Sequence, residues 1–331
     1  MKIVRTLGVA AALALAAVAA HADPAPDPQN TITLHDENSS VSIGGLSDRY
    51  YVNGLFLGWT SPSDKGSPLL KDLDHRIWGP GQTRVEFSLE QQIWTPADSR
   101  EVIPQPGDRP YAGVLMANLS LLDDTDTTRS VIALSAGLIG PDAGGEQIQN
   151  GFHDIIGQAH VNGWGTQIRN DPAVNLLAGR TWRSKAMPIG GDYEVDWLGN
   201  VTGAVGDLRD YALAGGSVRI GKGLDSDFGA PRLAPGLSGE DAYLRNRPLA
   251  WYAYAGLDGQ LVGYDLTLQA SPFRSGQAVP IDPVVGEGQI GLVVLYGPAR
   301  VAFSYVAQTY EFHGQQNGLH EFFSAALATK F

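Results

Sequence analysis

The stretch "TRVEFSLEQQIW" (83–94) sets Val85, Phe87, Leu89 and Ile93 against Glu86, Ser88, Glu90 and Gln92. Successive side chains leave a strand on opposite sides, so this alternation specifies a β-strand with one apolar and one polar face. "YVNGLFLGWTS" (51–61) repeats the pattern, with Leu55, Leu57 and Trp59 opposite Val52, Gly54, Phe56 and Gly58. Similar segments at 30–37, 111–122, 129–139, 172–183, 197–204, 211–220, 249–257, 260–270, 287–296 and 300–312, together with the last residues, give about a dozen strands. The chain is therefore all-β.

Two architectures accommodate such strands. A soluble sandwich buries the apolar faces and wets the polar ones, whereas a barrel in lipid does the same inside out. The segment "EFFSAALATKF" favours the barrel, because Phe323, Ala325, Leu327, Thr329 and Phe331 share one face of an aromatic-terminated last strand. No segment approaches the roughly 20 consecutive apolar residues of a transmembrane helix. Trp59, Trp94, Trp182 and Trp251 fall near strand ends, as an interfacial aromatic girdle requires. The expectation is a transmembrane antiparallel β-barrel of about 12 strands. Residues 221–246 read as one long loop within a single domain.

The first residues, "MKIVRTLGVAAALALAAVAAHADP", have the form of a secretory signal peptide. Lys2 and Arg5 precede an apolar run, and Ala20-His21-Ala22 supplies the small residues of a cleavage site. On this reading residues 1–22 are removed and 23–331 form an exported barrel. The formal net charge of −12 disfavours nucleic acid as a partner. There is no cysteine, which rules out thiolate nucleophiles and cysteine-based zinc sites.

One segment departs from the strand pattern. In "GPDAGGEQIQNGFHDIIG" (140–157), residues 146–156 are helix-compatible and Gly157 is placed to stop the helix. Ile148, Phe152, Ile155 and Ile156 fall on one side, ready to pack on a wall. Glu146, Gln149 and His153 fall on another, so an amide and an imidazole would face a cleft. By spacing alone this is a weak signal, equally the mark of an ordinary amphipathic loop helix.

That segment, followed by "NGWGTQIRND" (162–171), resembles the signature of the lipid A 3′-O-deacylase family of outer-membrane barrels. "HDEN" (35–38), "SDRYYVNGLFLGW" (47–59), "QQIWTP" (91–96), "GDRPYAG" (107–113), "LGNVTGAVG" (198–206) and "DFGAPR" (227–232) agree in order. The resemblance implies a 12-stranded monomeric barrel in the bacterial outer membrane, acting on lipopolysaccharide. It implies calcium-assisted hydrolysis of the 3′-linked acyloxyacyl ester of lipid A, with a helix histidine activating water. Carried over residue by residue, it makes His153 and Gln149 catalytic, Asp36 a metal ligand and Arg100 a contact for lipid A phosphate. His35 stands where the family has asparagine, and its imidazole joins Asp36 as a candidate ligand that would favour softer ions. Val52 replaces a hydroxyl residue, and Ala159 stands where some members carry an acid. The paired charges at Asp48, Arg49, Asp108 and Arg109 read as structural. The competing readings are a non-catalytic porin or binding scaffold, and an esterase for another outer-leaflet lipid. No G-x-S-x-G elbow offers a serine nucleophile.

Overall fold

The computed structural model describes residues 26–40, 49–233, 242–269, 271, 276–316 and 318–331. The signal-peptide segment and Asp48 lie outside the described residues. The strands are β1 (Thr31–Asn38), β2 (Tyr50–Thr60), β3 (Gln82–Thr95), β4 (Ala112–Asp124), β5 (Thr128–Ile139), β6 (Asp171–Arg183), β7 (Met187–Gly190), β8 (Tyr193–Gly206), β9 (Arg209–Lys222), β10 (Leu249–Asp265), β11 (Val284–Tyr296), β12 (Ala299–Gln308) and β13 (His320–Lys330). Apart from β6 and β7, each pairs antiparallel with its neighbours in chain order, and β1 pairs with β13. The pairing of β6 with β8 closes the sheet into a barrel of twelve strands, while the short β7 extends β8 as a hairpin.

The barrel is apolar outside and polar within. Leu34, Leu57, Phe87, Leu89, Leu134, Leu257 and Leu327 are exposed on its outer surface, whereas Glu37, Glu86, Arg219, Glu287 and Gln289 are buried in the lumen. A soluble sandwich would have the opposite distribution, so the alternation reads as a lipid-facing wall. Among the described residues no helix is long and apolar enough to cross a membrane.

Three sequence expectations change. Segments 249–257 and 260–270 are one strand, β10; Asp258 and Gly259, which look like a turn, sit mid-strand opposite Glu287 and Gly286. A helix absent from the sequence reading, α1 (Pro68–Trp78), connects β2 to β3 and buries Asp74 and Trp78. Trp94 points inward, packs on Tyr51 and lies beneath the Arg109 guanidinium, so it is not part of an outer girdle.

The connection from β9 to β10 leaves the rim that holds both ends of the sheet and turns into the lumen. Phe228, Ala230 and Arg232 are buried there. Arg232 donates from Nε to Glu37 at 2.7 Å and pairs through NH1 with Glu287. Arg219 is enclosed by Asp196 and Asp227, at 2.6 and 2.7 Å. Charges this deep in a barrel persist only when paired, and these pairs cross the lumen beside a remaining cavity of about 130 Å³ lined by Glu90, Gln92 and Arg209. The "DFGAPR" segment thus works as an internal plug.

Candidate functional site

The loop joining β5 to β6 lies at the opposite rim and carries α2 (Gly145–Ile156). Gly157 closes the helix in the left-handed region, φ 70°, where a side chain would be strained. The helix packs on β3 and β4 from outside the barrel. Their approach is close: a Cβ on Gly113 would lie 3.1 Å from the Gly145 nitrogen.

The helix divides its faces differently from the expectation. Gln149 and His153 are buried against the barrel and Ile148 packs beside them on Val52, Ile93, Tyr111, Val161 and Trp164. Glu146 is exposed, and Phe152, Ile155 and Ile156 are 46%, 82% and 46% exposed. The physical reason is the surroundings. A helix resting on the outside of a membrane barrel meets the lipid interface with its outer face, so apolar residues belong there. The polar face is then enclosed between helix and wall.

Within that enclosure His153 Nδ1 lies 2.7 Å from the carbonyl oxygen of Ala159. A carbonyl only accepts, so Nδ1 carries the proton and Nε2 is left as the basic nitrogen. Ala159 thus orients the imidazole through its backbone. Asp154, one residue on, points away and bonds His160 at 2.7 Å. Gln149 Oε1 accepts from the Trp164 indole N–H at 2.9 Å, and Trp164 packs on Tyr111 with ring centroids 5.4 Å apart. Asn150 and Val161 exchange two further bonds, at 2.8 and 3.3 Å, which tie the helix to the segment that follows it.

The floor of the enclosure comes from β2 and β3. A bulge between Tyr51 and Asn53 breaks the alternation, so Val52 joins Ile93, Tyr111, Val161 and Trp164 in one buried apolar cluster while Asn53 pairs with Ile93. Asn53 Nδ2 then donates to Asp36 Oδ1 at 2.7 Å and to the Glu37 carbonyl at 2.9 Å. Val52 thus packs on Trp164, the partner of Gln149, while Asn53 and Asp36 lie beside it on the outer face of β2 and β1.

Two other residues singled out from the sequence lie elsewhere. His35 faces the lumen, because neighbours in a strand point to opposite sides. It lies 2.7 Å from Ser324 Oγ and 3.8 Å from Glu37, and the structure does not bring it to Asp36. Arg100 stands exposed in the loop 96–111, with Nε 2.9 Å and NH2 3.0 Å from the Asp98 carboxylate. Those hydrogen bonds hold the Asp98 carboxyl below its ordinary range. Arg109 is fully buried on Glu311 at 3.0 Å and Thr267 at 2.9 Å, a structural role as its position in the sequence indicates.

No three His, Cys, Asp or Glu side chains cluster as metal ligands among the described residues. Beside the Asp36 carboxylate stand the amides of Asn53 and Asn38, paired across β1 and β2; Asn53 turns its nitrogen to Asp36, and the Asn38 oxygen accepts from the Ser40 N–H at 2.8 Å, so their oxygens are the hard donors an ion would recruit. Their chemistry fits calcium or magnesium and not a soft ion, since the only nearby imidazole on β1 is turned into the lumen.

A closed barrel with an apolar outside and a polar enclosure on its outer wall defines an integral outer-membrane protein. The family model described as outer membrane protein LpxR matches residues 7–331, and the chain belongs to that family. Among solved structures, LpxR from Salmonella typhimurium is similar with a TM-score of 0.75 at 22% identity, covering 91% of this chain and 100% of that one. The beta domain of the Bordetella autotransporter Brka aligns at a TM-score of only 0.40 and 12% identity, over 93% of this chain and 100% of that one. The comparison with curated proteins finds no match.

Proposed function

We propose that this protein hydrolyses the 3′-linked acyloxyacyl ester of lipid A in the outer leaflet, with His153 as general base. The observation that carries the reading is the Nδ1 contact of buried His153 with the Ala159 carbonyl, on the lipid-facing side of the wall. With the proton on Nδ1, Nε2 is the nitrogen that would take a proton from water. The hydroxide attacks the ester carbonyl, the tetrahedral intermediate collapses, and the imidazolium returns its proton to the departing sugar oxygen. The products are a free 3′-hydroxyl and an acyloxyacyl carboxylic acid. Gln149 holds the helix in place through Trp164, and Asn53 fixes the Asp36 carboxylate. Asp36, Asn53 and Asn38 would hold the divalent cation the family implies, which would stabilise the oxyanion.

Residues 1–22 serve, on this proposal, as the export signal, and residues 23–331 as the barrel, acting as a monomer. The acidic chain meets anionic lipopolysaccharide, and a divalent ion would offset the repulsion. His153→Ala in detergent-folded protein should lower acid release from lipid A by about 10²–10⁴-fold. Unchanged release would remove His153 from the chemistry.

A further inference from the structure

The outer face of β1 to β4 is built in rows set by the register. Ile32, Trp59, Phe87 and Leu119 form one row, and Leu34, Leu57, Leu89 and Ala117 form the next. Both are apolar, as a wall in lipid must be. The following row, towards the α2 rim, is Asp36, Leu55, Gln91 and Leu115. Gln91 is thus a polar residue at an outward position of a strand whose other outward residues between 85 and 93 are Val85, Phe87, Leu89 and Ile93.

Gln91 is 5% exposed, and neither its amide nitrogen nor its amide oxygen has a hydrogen-bond partner. An unpaired buried amide is costly, and hydrocarbon supplies no water to relieve it. It lines an outer-wall groove of about 640 Å³ together with Asp36, Leu34, Leu57, Leu89 and Phe303. His35 and Glu90 also border it, but by the strand alternation their side chains point to the lumen, so Asp36 and Gln91 supply the polar side chains on the outer face. An acyl chain has that same profile: methylenes ending in a carbonyl.

We infer that Gln91 is a substrate-binding residue whose amide N–H donates to the carbonyl oxygen at the polar root of an acyl chain lying in this groove. This rests on the proposed action on lipid A and adds a positioning contact to the Asp36 patch. The contact is made by bound substrate and transition state alike, so its loss raises KM and spares kcat.

The test compares Gln91→Leu and Gln91→Glu with the unmodified barrel, using lipid A in mixed detergent micelles. Dissociation constants are measured in a His153→Ala background, and KM and kcat in the active one. Gln91→Leu removes both polar groups; Gln91→Glu keeps the shape and the acceptor but loses the donor. Both should weaken binding and raise KM by roughly 10-fold to 100-fold, the loss of one buried hydrogen bond. Heat-modifiable gel mobility should remain that of a folded barrel. A purely structural role would lower the unfolding temperature and leave binding unchanged. Equal dissociation constants for folded Gln91→Leu and its parent overturn the inference, as does an absence of binding in both. Binding that depends on Gln91 without hydrolysis by the unmodified barrel would instead sink the deacylase reading alone.

Discussion

At the scale of single residues, the enclosure depends on what each side chain does with its polar atoms. Gln149→Leu would strip Trp164 of its acceptor and leave a buried indole N–H, at a cost of about 1–3 kcal/mol. We expect a lower unfolding temperature and at least a tenfold loss of activity, read by thermal scanning and acid release. Val52→Thr restores the hydroxyl usual in the family, but in this chain the position lies among Ile93, Tyr111, Val161 and Trp164. The added oxygen has no partner there, so activity should not rise and stability should fall by about 1–2 kcal/mol. Asp36→Asn removes the carboxylate that Asn53 holds. Calcium titration followed by calorimetry should then show the ion bound weakly in the parent, near 10⁻⁴–10⁻³ M for so few charged ligands, and not bound in the variant. Calcium affinity unchanged in Asp36→Asn would place the metal elsewhere. Much of this was legible in the sequence. Gln149 and His153 share the buried face of the helix as their spacing requires, and Asp36 faces outward on β1 as the strand period requires. His35 was misplaced although the strand period alone separates it from Asp36. Gln91 carried a signal that went unused, a polar residue interrupting an apolar outward series.

At the scale of elements, α2 shows why pattern and placement are separate questions. The 3.6-residue period locates the helix and Gly157 ends it, yet the period does not say which face meets protein. In water the apolar face packs inward; against lipid it turns outward, and Phe152, Ile155 and Ile156 do so. Ile155→Asp should therefore leave the fold intact but weaken the seating of the helix at a lipid surface. Its activity loss should be several-fold larger in vesicles than on short-chain ester in detergent. A similar logic explains the misread strand β10. Asp258 and Gly259 carry turn chemistry, but in a barrel an acidic residue can face a polar lumen in mid-strand. Helix α1 was missed because its only strong local cue is Pro68 at the first turn, and its amphipathic pattern covers just Pro68–Trp78.

At the scale of the whole molecule, the alternation settled a closed barrel, while the contents of its lumen depend on contacts far apart in the chain. Arg232 lies within residues that read only as a long loop, yet it bridges Glu37 on β1 and Glu287 on β11. Its loss would strand two buried carboxylates, so Arg232→Ala should cost about 3–5 kcal/mol and lower the temperature at which the barrel unfolds on heated gels. With the lumen crossed by such pairs, the protein in planar bilayers should conduct little; steady porin-like conductance would favour the non-catalytic alternative. The enclosure lies on the outer wall, so substrate would enter laterally from lipid. The most direct test is mass spectrometry of lipid A incubated with the folded protein, with and without calcium, beside His153→Ala. We expect calcium-dependent loss of one acyloxyacyl unit that the variant does not produce. Intact lipid A after incubation with a correctly folded barrel would contradict the deacylase reading.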